Sequence, residues 1–540
     1  MPTTLHSTPT SEARTTHTDL TRPLVGVWVA VPLSAVGGLA MDLATPEVSW
    51  WPLAFVSVVL TLVATVGRSV GGALLVGLAF GVTFYALHLD WVGQFLGPLP
   101  RIALSGLQAL LFGLGAVPIA LAYRWTSRFR GRRVWQIVAV PALVGGLWVA
   151  REIVLGSWPY GGFPWVRLGM TQVESPFPEA TSWIGVTGLS LTIAVIAASI
   201  VQWLRIGLRA VSVLTPAVVL VFGLSVTPQY ATTGAGTFAV GWVQGNGPSG
   251  YFDGRASGDL LKAQVEASEP ILDRNMDVLV WPEGSAEFDP FRNRQAASEL
   301  NRIVSRTGAP LLANAATARG DETFNTSFLW TANPGSSQVH DKVNPVPFGE
   351  YVPDRWLYER LAPDLVGLIQ REYTAGTNPP VVTVGETDIG LAICFDVILD
   401  DVIRAAAEQD VKLYIFQTNN ADFRGSDENL QQLAFARMRA IQTGKSVVNV
   451  STVGTSQVIA PDGAILDTAG VDTVAAAITD VPLRSGIAPG ILAEKWLALS
   501  APLLAFGSLA TLALIVRRAS SNGPDSTPEP ESGGPNRDHT

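Results

Sequence analysis

Val278-Leu-Val-Trp-Pro-Glu283 is a short apolar run that ends on a carboxylate, and Ile389-Gly-Leu-Ala-Ile-Cys394 ends the same way on the single cysteine of the chain. Runs of this length, closed by a turn or polar residue, read as buried β-strands. They recur at Phe238–Val243, Leu311–Asn314, Ser327–Thr331, Leu413–Gln417 and Val447–Val450, separated by amphipathic stretches such as Asp259–Ala267, Asn293–Thr307 and Asn429–Thr443. The alternation predicts an α/β layered domain over 232–490, long enough to bury a large core. No internal repeat and no GxGxxG or GxxxxGK(S/T) loop occurs, so nucleotide binding has no support.

Outside this domain the composition changes. The 540-residue chain is 48% hydrophobic and only 15% charged, against about 25% charged for a soluble domain. Its mean hydropathy is +0.30. These values argue against a purely soluble enzyme and exclude disorder for most of the chain. The apolar excess falls in runs near 24–42, 50–66, 69–88, 102–123, 134–151, 182–204 and 210–227, with an eighth near 493–516. A helix of about 20 apolar residues spans a bilayer. The expected organisation is a transmembrane bundle of about seven spans over 23–228, the α/β domain over 232–490, and a last transmembrane helix over 493–516. Thr/Ser-rich residues 1–22 and Pro/Ser/Gly-rich, acidic residues 519–540 read as disordered tails. The short second run and the Gly-rich third admit one re-entrant feature as an alternative. The first run lacks a short apolar core followed by a small-residue cleavage site, so it reads as a retained span.

Arginines orient the bundle. Arg124, Arg128, Arg130, Arg132 and Arg133 crowd one loop, with Arg68, Arg205, Arg209, Arg517 and Arg518 on the same side. The opposite side has only Arg101, Arg151 and Arg167, close to span ends. Cytoplasmic loops are the arginine-rich ones, so both termini are expected in the cytoplasm and the α/β domain outside. A formal charge of −9 argues against nucleic acid. One cysteine allows neither an internal disulfide nor a CxxC metal site, and His340 is the only histidine in the domain, which excludes a His-rich zinc site there.

Three polar residues end or follow strand-like runs: Glu283, Cys394, and Lys342, one of five lysines in the chain. Strand ends are where α/β folds carry chemistry. A carboxylate can take a thiol proton, an ammonium can stabilise thiolate and oxyanion, and the thiol can form an acyl intermediate. Taken singly, each has a plainer reading: a buried core thiol, a helix cap, a surface charge. His340, two residues before Lys342 and on the same face of an extended strand, is a rival base.

Trp281-Pro-Glu283, Lys342 and Ile393-Cys-Phe395 together resemble the Glu–Lys–Cys signature of the nitrilase (carbon–nitrogen hydrolase) superfamily. More narrowly, the chain is similar to its membrane-embedded branch, the apolipoprotein N-acyltransferase family. That match is carried by Gly162-Phe-Pro-Trp165, Val243-Gln-Gly-Asn246, Val346-Pro-Phe-Gly-Glu-Tyr-Val-Pro353, Gln431-Gln-Leu-Ala-Phe-Ala-Arg-Met-Arg-Ala440 and Pro461-Asp-Gly463, and it runs from about residue 24 to 516. The resemblance implies an α-β-β-α nitrilase-like sandwich on a seven-plus-one helix membrane bundle. It implies Cys394 as nucleophile, Glu283 as general base, Lys342 as oxyanion stabiliser and Glu350 as a supporting carboxylate. Phe395, Asp396 and Trp165 are further candidates for supporting or substrate-binding roles. The implied partners are a phospholipid acyl donor, diacylglyceryl-modified lipoproteins and the bilayer of the bacterial inner membrane; no metal or organic cofactor is implied. Two departures stand out. Asp396 replaces the usual glutamate after the aromatic residue, and Asn419-Asn-Ala-Asp-Phe-Arg-Gly425 lacks the tryptophan usual in that loop. Trp158, Tyr160, Phe163 and Trp165 suit an interfacial belt or the lining of a lipid path. The competing functions are a membrane-tethered amidase or nitrilase that passes the acyl group to water, and a non-enzymatic membrane partner with a degenerate hydrolase domain.

Overall fold

The computed structural model describes residues 19–129, 132–332, 337–369 and 371–521. The tails expected at 1–22 and 519–540 lie almost wholly outside the described residues, as does Arg130. The N-terminal apolar runs are helices: α1 (Val27–Leu43), α2 (Pro52–Thr65), α3 (Val70–His88), the short α4 (Val92–Leu96), α5 (Pro98–Thr126), α6 (Val140–Leu155), α7 (Thr181–Ile206) and α8 (Thr215–Val226). The second and third runs form two separate helices, Pro52–Thr65 and Val70–His88. Among the described residues, five helical segments are long and apolar enough to cross a membrane: 70–88, 98–129, 135–155, 178–206 and 489–519. Val27–Leu43, Pro52–Thr65 and Val211–Val226 are apolar but shorter.

Small residues set the helix spacing. A Cβ on Gly77 would lie 2.7 Å from Gly113 Cα, and one on Gly81 would lie 2.6 Å from Ala109 Cα. Such small residues four apart on α3 and α5 bring two backbones into contact, which favours helix association in an apolar solvent. Ser69 caps α3 by accepting from Gly72 N at 3.2 Å.

The remaining elements build two six-stranded sheets. In chain order they are β1 (Thr233–Gln244), α9 (Asp259–Ser268), β2 (Val278–Val280), α10 (Arg294–Thr307), β3 (Leu311–Arg319), β4 (Glu322–Trp330), β5 (Gln338–Asp341), α11 (Arg355–Leu361), α12 (Pro363–Leu368), β6 (Val381–Val384), β7 (Thr387–Ile393), α13 (Asp400–Ala407), β8 (Leu413–Thr418), α14 (Glu428–Thr443), β9 (Val447–Ser451), β10 (Ser456–Ile459), β11 (Ile465–Ala469), β12 (Ala475–Ser485) and the last helix, α15 (Pro489–Ser521). Sheet orders are β12-β1-β2-β3-β4-β5 and β11-β10-β9-β8-β7-β6. The centres are parallel, β1-β2-β3 in one sheet and β7-β8-β9 in the other.

The period-2 side-chain pattern explains the layering. On β8, Leu413 and Ile415 join Val240, Val280, Leu312 and Val448 between the sheets. Tyr414 and Phe416 face the opposite way, into α13, α14 and the helix bundle. Leu300, Ile303 and Val304 of α10 cover the outer face of the first sheet. Asn293 caps that helix by accepting from Gln295 N and Ala296 N, both at 3.0 Å. The result is an α-β-β-α sandwich whose second helix layer is packed directly on the bundle.

That contact is charged as well as apolar. Arg167, ahead of α7, donates to Asp400 of α13 and to Glu494 of α15 at 2.9 Å each. Arg439 of α14 pairs with the same Asp400 at 2.7 Å. Glu494 reaches this cluster because α7 is broken at Gly185, φ 70°. The freed N–H of Thr187 donates to Glu494 Oε1 at 3.1 Å, and a Cβ at Gly185 would sit 1.9 Å from Glu494 Oε2. Chain entry and exit of the sandwich are adjacent, since Thr233 on β1 pairs with Ser485 on β12.

Candidate active site

Glu283, Lys342 and Cys394 follow the ends of β2, β5 and β7 respectively. The two sheets face each other there, so strand ends far apart in sequence converge. Asn325 of β4 ties two carboxylates together: its Nδ2 donates to Glu283 Oε1 at 2.8 Å and to Glu350 Oε1 at 3.1 Å. The amide is oriented by Asn314 of β3, whose Nδ2 donates to Asn325 Oδ1 at 2.9 Å, while Asn314 Oδ1 accepts from Gly284 N at 2.8 Å. Lys342 Nζ lies 2.7 Å from Glu350 Oε2, and Val346 N donates to that oxygen at 2.7 Å. The Cys394 thiol lies within electrostatic reach of both Glu283 and Lys342. Cys394 itself has φ 50°, a left-handed conformation that costs a non-glycine residue free energy and that clusters at functional sites.

Burial governs the proton affinities. It pushes the Glu283 carboxyl up to about 7, with Glu350 adding to the rise and Lys342, Asn325 and Cys394 opposing it. Burial also pushes the Cys394 thiol well above its usual value. Glu283, Glu428 and Glu350 push it further, and Lys342 opposes them. Burial alone would lower Lys342, but Glu350, Cys394, Glu283 and Asp396 surround it and hold its ammonium charged. The resting site therefore holds a protonated thiol, a carboxylate able to take its proton at neutral pH, and a fixed positive charge.

The other expected residues divide into two groups. Asp396 is fully buried, accepts from Asn344 N and Nδ2 at 3.3 Å, and is pushed up to about 7 by burial against the pull of Lys342. Trp165 is 3% exposed and donates from Nε1 to Gln431 Oε1 at 2.6 Å. Its ring and that of Phe163 lie parallel to Phe395, with centroids 6.2 and 6.0 Å away. These two aromatics thus form a wall beside the nucleophile's neighbour, whereas Trp158 is 59% exposed. His340, the rival base, makes no hydrogen bond to Glu283, Lys342 or Cys394 among the described residues. Burial pushes it down to about 4, which keeps it neutral.

Asn314, Asn325, Asn420, Glu428 and Gln432 belong to the same polar cluster and were not singled out from sequence. The signal for them was an amide or carboxyl placed on an otherwise apolar strand or helix face, such as Glu428 and Gln432 one turn apart on the buried side of α14. Among the described residues no group of His, Cys, Asp and Glu has an arrangement suited to a metal ion.

A model of the apolipoprotein N-acyltransferase N-terminal domain matches residues 37–199, and a carbon–nitrogen hydrolase model matches residues 243–487. The apolipoprotein N-acyltransferase of Mycolicibacterium smegmatis is 29% identical over 94% of this chain and 92% of its own length. That of Shewanella oneidensis is 26% identical over 78% of this chain and 82% of its own. An amidase of the nitrilase superfamily from Nesterenkonia AN1 superimposes with TM-score 0.37 at 18% identity, covering 49% of this chain and 100% of the amidase.

Proposed function

Because this chain belongs to the apolipoprotein N-acyltransferase family of the carbon–nitrogen hydrolase superfamily, we propose that it transfers an acyl chain from a phospholipid to the α-amino group of the S-diacylglyceryl cysteine of lipoproteins. The observation that carries the mechanism is the convergence of Glu283, Lys342 and Cys394 around one buried ammonium. Glu283 takes the thiol proton as Cys394 Sγ attacks the ester carbonyl. The S–C bond forms, the ester C–O bond breaks, and the proton passes from Glu283 to the departing lysophospholipid oxygen. Lys342 stabilises the charge that develops on the carbonyl oxygen, and Glu350, fixed by Asn325 and Val346 N, holds that ammonium in place. The lipoprotein amine then attacks the thioester, giving a ping-pong reaction.

The membrane setting is part of the same reading. The apolar helices of 23–228 and 493–516 form the bilayer region, and the sandwich of 232–490 is the catalytic domain. The arginine-rich side supports cytoplasmic termini and a catalytic domain on the outer face of the bacterial inner membrane. Both substrates are anchored in that outer leaflet. The wall formed by Phe163, Trp165 and Phe395 suits the path of an acyl chain from the bundle to Cys394. The test is mass spectrometry of a lipoprotein N-terminus with and without this protein. The triacyl form is expected with the intact chain and only the diacyl form with Cys394→Ser; triacylation by Cys394→Ser would overturn the reading. Offering the trapped acyl-enzyme either water or a diacylated lipopeptide separates transfer from amidase-type hydrolysis.

A further inference from the structure

Behind Cys394 a polar chain runs further than the three convergent groups require. Gly454 N donates to Ser451 Oγ at 2.9 Å, and the Ser451 hydroxyl donates to Asn420 Oδ1 at 2.7 Å. Asn420 Nδ2 donates to Glu428 Oε2 at 2.8 Å and to Gln432 Oε1 at 2.9 Å. With its oxygen so occupied, Gln432 turns its Nε2 to Cys394 Sγ, 3.8 Å away.

Ser451 Oγ accepts from Gly454 N, and its own proton goes to Asn420 Oδ1. The Asn420 oxygen is thereby an acceptor and its NH2 group must face Glu428 and Gln432. The Gln432 amide has one remaining orientation, nitrogen toward sulfur. Ser451, Asn420, Glu428 and Gln432 are 0%, 4%, 2% and 2% exposed. Buried polar groups usually end on a good acceptor, yet this chain ends on sulfur, a weak one while it remains a thiol. As negative charge appears on that sulfur, the same contact becomes a charge-assisted hydrogen bond and strengthens.

Glu428 suits its place in the chain. Burial pushes its carboxyl up to about 8, Glu283 adds to the rise and Asn420 opposes it. At neutral pH it thus offers Asn420 an acceptor oxygen without placing another negative charge beside the nucleophile.

We propose that Gln432 is a further catalytic residue, an amide donor to the sulfur of Cys394, aimed by the positioning residues Asn420 and Glu428. The inference rests on the acyl-transfer reading given above. In the first half-reaction Gln432 and Lys342 both stabilise the sulfur as its proton moves to Glu283. In the second, the amine nitrogen bonds to the acyl carbon, the C–S bond breaks, and the electron pair returns to the sulfur. Lys342 and the Gln432 N–H receive that charge until the amine's proton reaches the sulfur through Glu283.

The test is the rate of Cys394 alkylation by iodoacetamide across a pH series, on the full chain in detergent micelles. This readout does not depend on any lipid substrate. Gln432→Leu should raise the pH midpoint of alkylation and slow the neutral-pH rate about tenfold, the loss expected for one hydrogen bond to a charged group. Glu428→Gln keeps an acceptor for Asn420 and removes a carboxyl that pushes the thiol up, so it should not raise the midpoint as Gln432→Leu does. Transfer to a diacylated lipopeptide should slow through kcat with KM little altered. An unchanged alkylation profile in Gln432→Leu overturns the proposal, and Gln432→Met serves the same measurement if the leucine variant does not fold. If the unaltered chain alkylates as expected but acylates no lipopeptide, the functional reading falls while the thiol result still decides the role of Gln432.

Discussion

Arg167 Nη2 donates to Asp400 Oδ1 across 2.9 Å, which joins the segment ahead of α7 to the first turn of α13. The guanidinium also satisfies Glu494 of the last helix, so one buried cation serves the bundle, the sandwich and the exit helix. Breaking one partner of a buried pair costs up to about 3–5 kcal/mol, because it strands the other charges. Arg167→Met is expected to lower the thermal unfolding midpoint in micelles by several degrees. An unchanged midpoint would show that the cluster contributes nothing to joining the two regions.

Lys342→Met removes the charge around which Glu283, Glu350 and Asp396 are arranged. Acyl-enzyme formation should fall by about a hundred- to a thousandfold, the usual loss for one oxyanion donor. Glu350→Gln should lose less, since an amide oxygen can still accept from Lys342 and Val346 N. Single-turnover capture of the thioester on Cys394 measures both.

The acid limb of the rate profile should report Glu283. A general base works only when ionised, so activity is present above its pKa and is lost as pH falls through about 7. Asn325 holds that pKa down by donating to the carboxylate. Asn325→Leu should therefore move the acid limb to higher pH, and a limb that stays in place would assign it to another group.

Asp396 makes a separate, stability-based prediction. Its pKa is raised in the folded protein, to about 7 from an ordinary value near 3.8. The folded state therefore holds a proton that the unfolded chain releases. That stabilisation is complete below the unfolded pKa and disappears as pH rises through about 7. Asp396→Asn, neutral at every pH, should raise the unfolding midpoint at pH 8 more than at pH 5. Equal shifts at both pH values would contradict the assignment.

Gly185→Ala places a methyl group at a left-handed φ of 70° and against the Glu494 carboxylate. Backbone strain alone costs roughly 1–3 kcal/mol, and displacing Glu494 also leaves Thr187 N–H and Arg167 short of a partner. The unfolding midpoint in micelles should drop. Gly97→Ala, also at positive φ but with open space around a Cβ, should drop it less.

Much of this site was legible in sequence because its key groups interrupt apolar strands. A carboxylate after Val278–Pro282 and a thiol after Ile389–Ile393 mark strand ends, and strand ends in layered α/β folds converge. The strands expected at Leu311–Asn314 and Ser327–Thr331 are longer in the structure, Leu311–Arg319 and Glu322–Trp330. Their added residues mix strand-favouring Thr and Phe with Ala, Asn and Glu, which blurs the apolar run that marks a strand. β5, β6 and β10 are four residues each, and β11 is largely exposed, so none gave a periodic signal. The role of Asn325, and that of Gln432 within the quoted block 431–440, comes from pairing across sheets and helices, which no local pattern records. Of the two settings open to Trp165, a membrane belt or the lining of a lipid path, packing against Phe395 and Gln431 turns it inward, beside the nucleophile's neighbour.

The pairing of Thr233 with Ser485 gives the molecule a modular logic. A chain that departs and returns on neighbouring strands makes the sandwich an insertion at a single point between α8 and α15, comparable to a cassette spliced into a helical host. Domains whose ends lie close together tolerate such grafting.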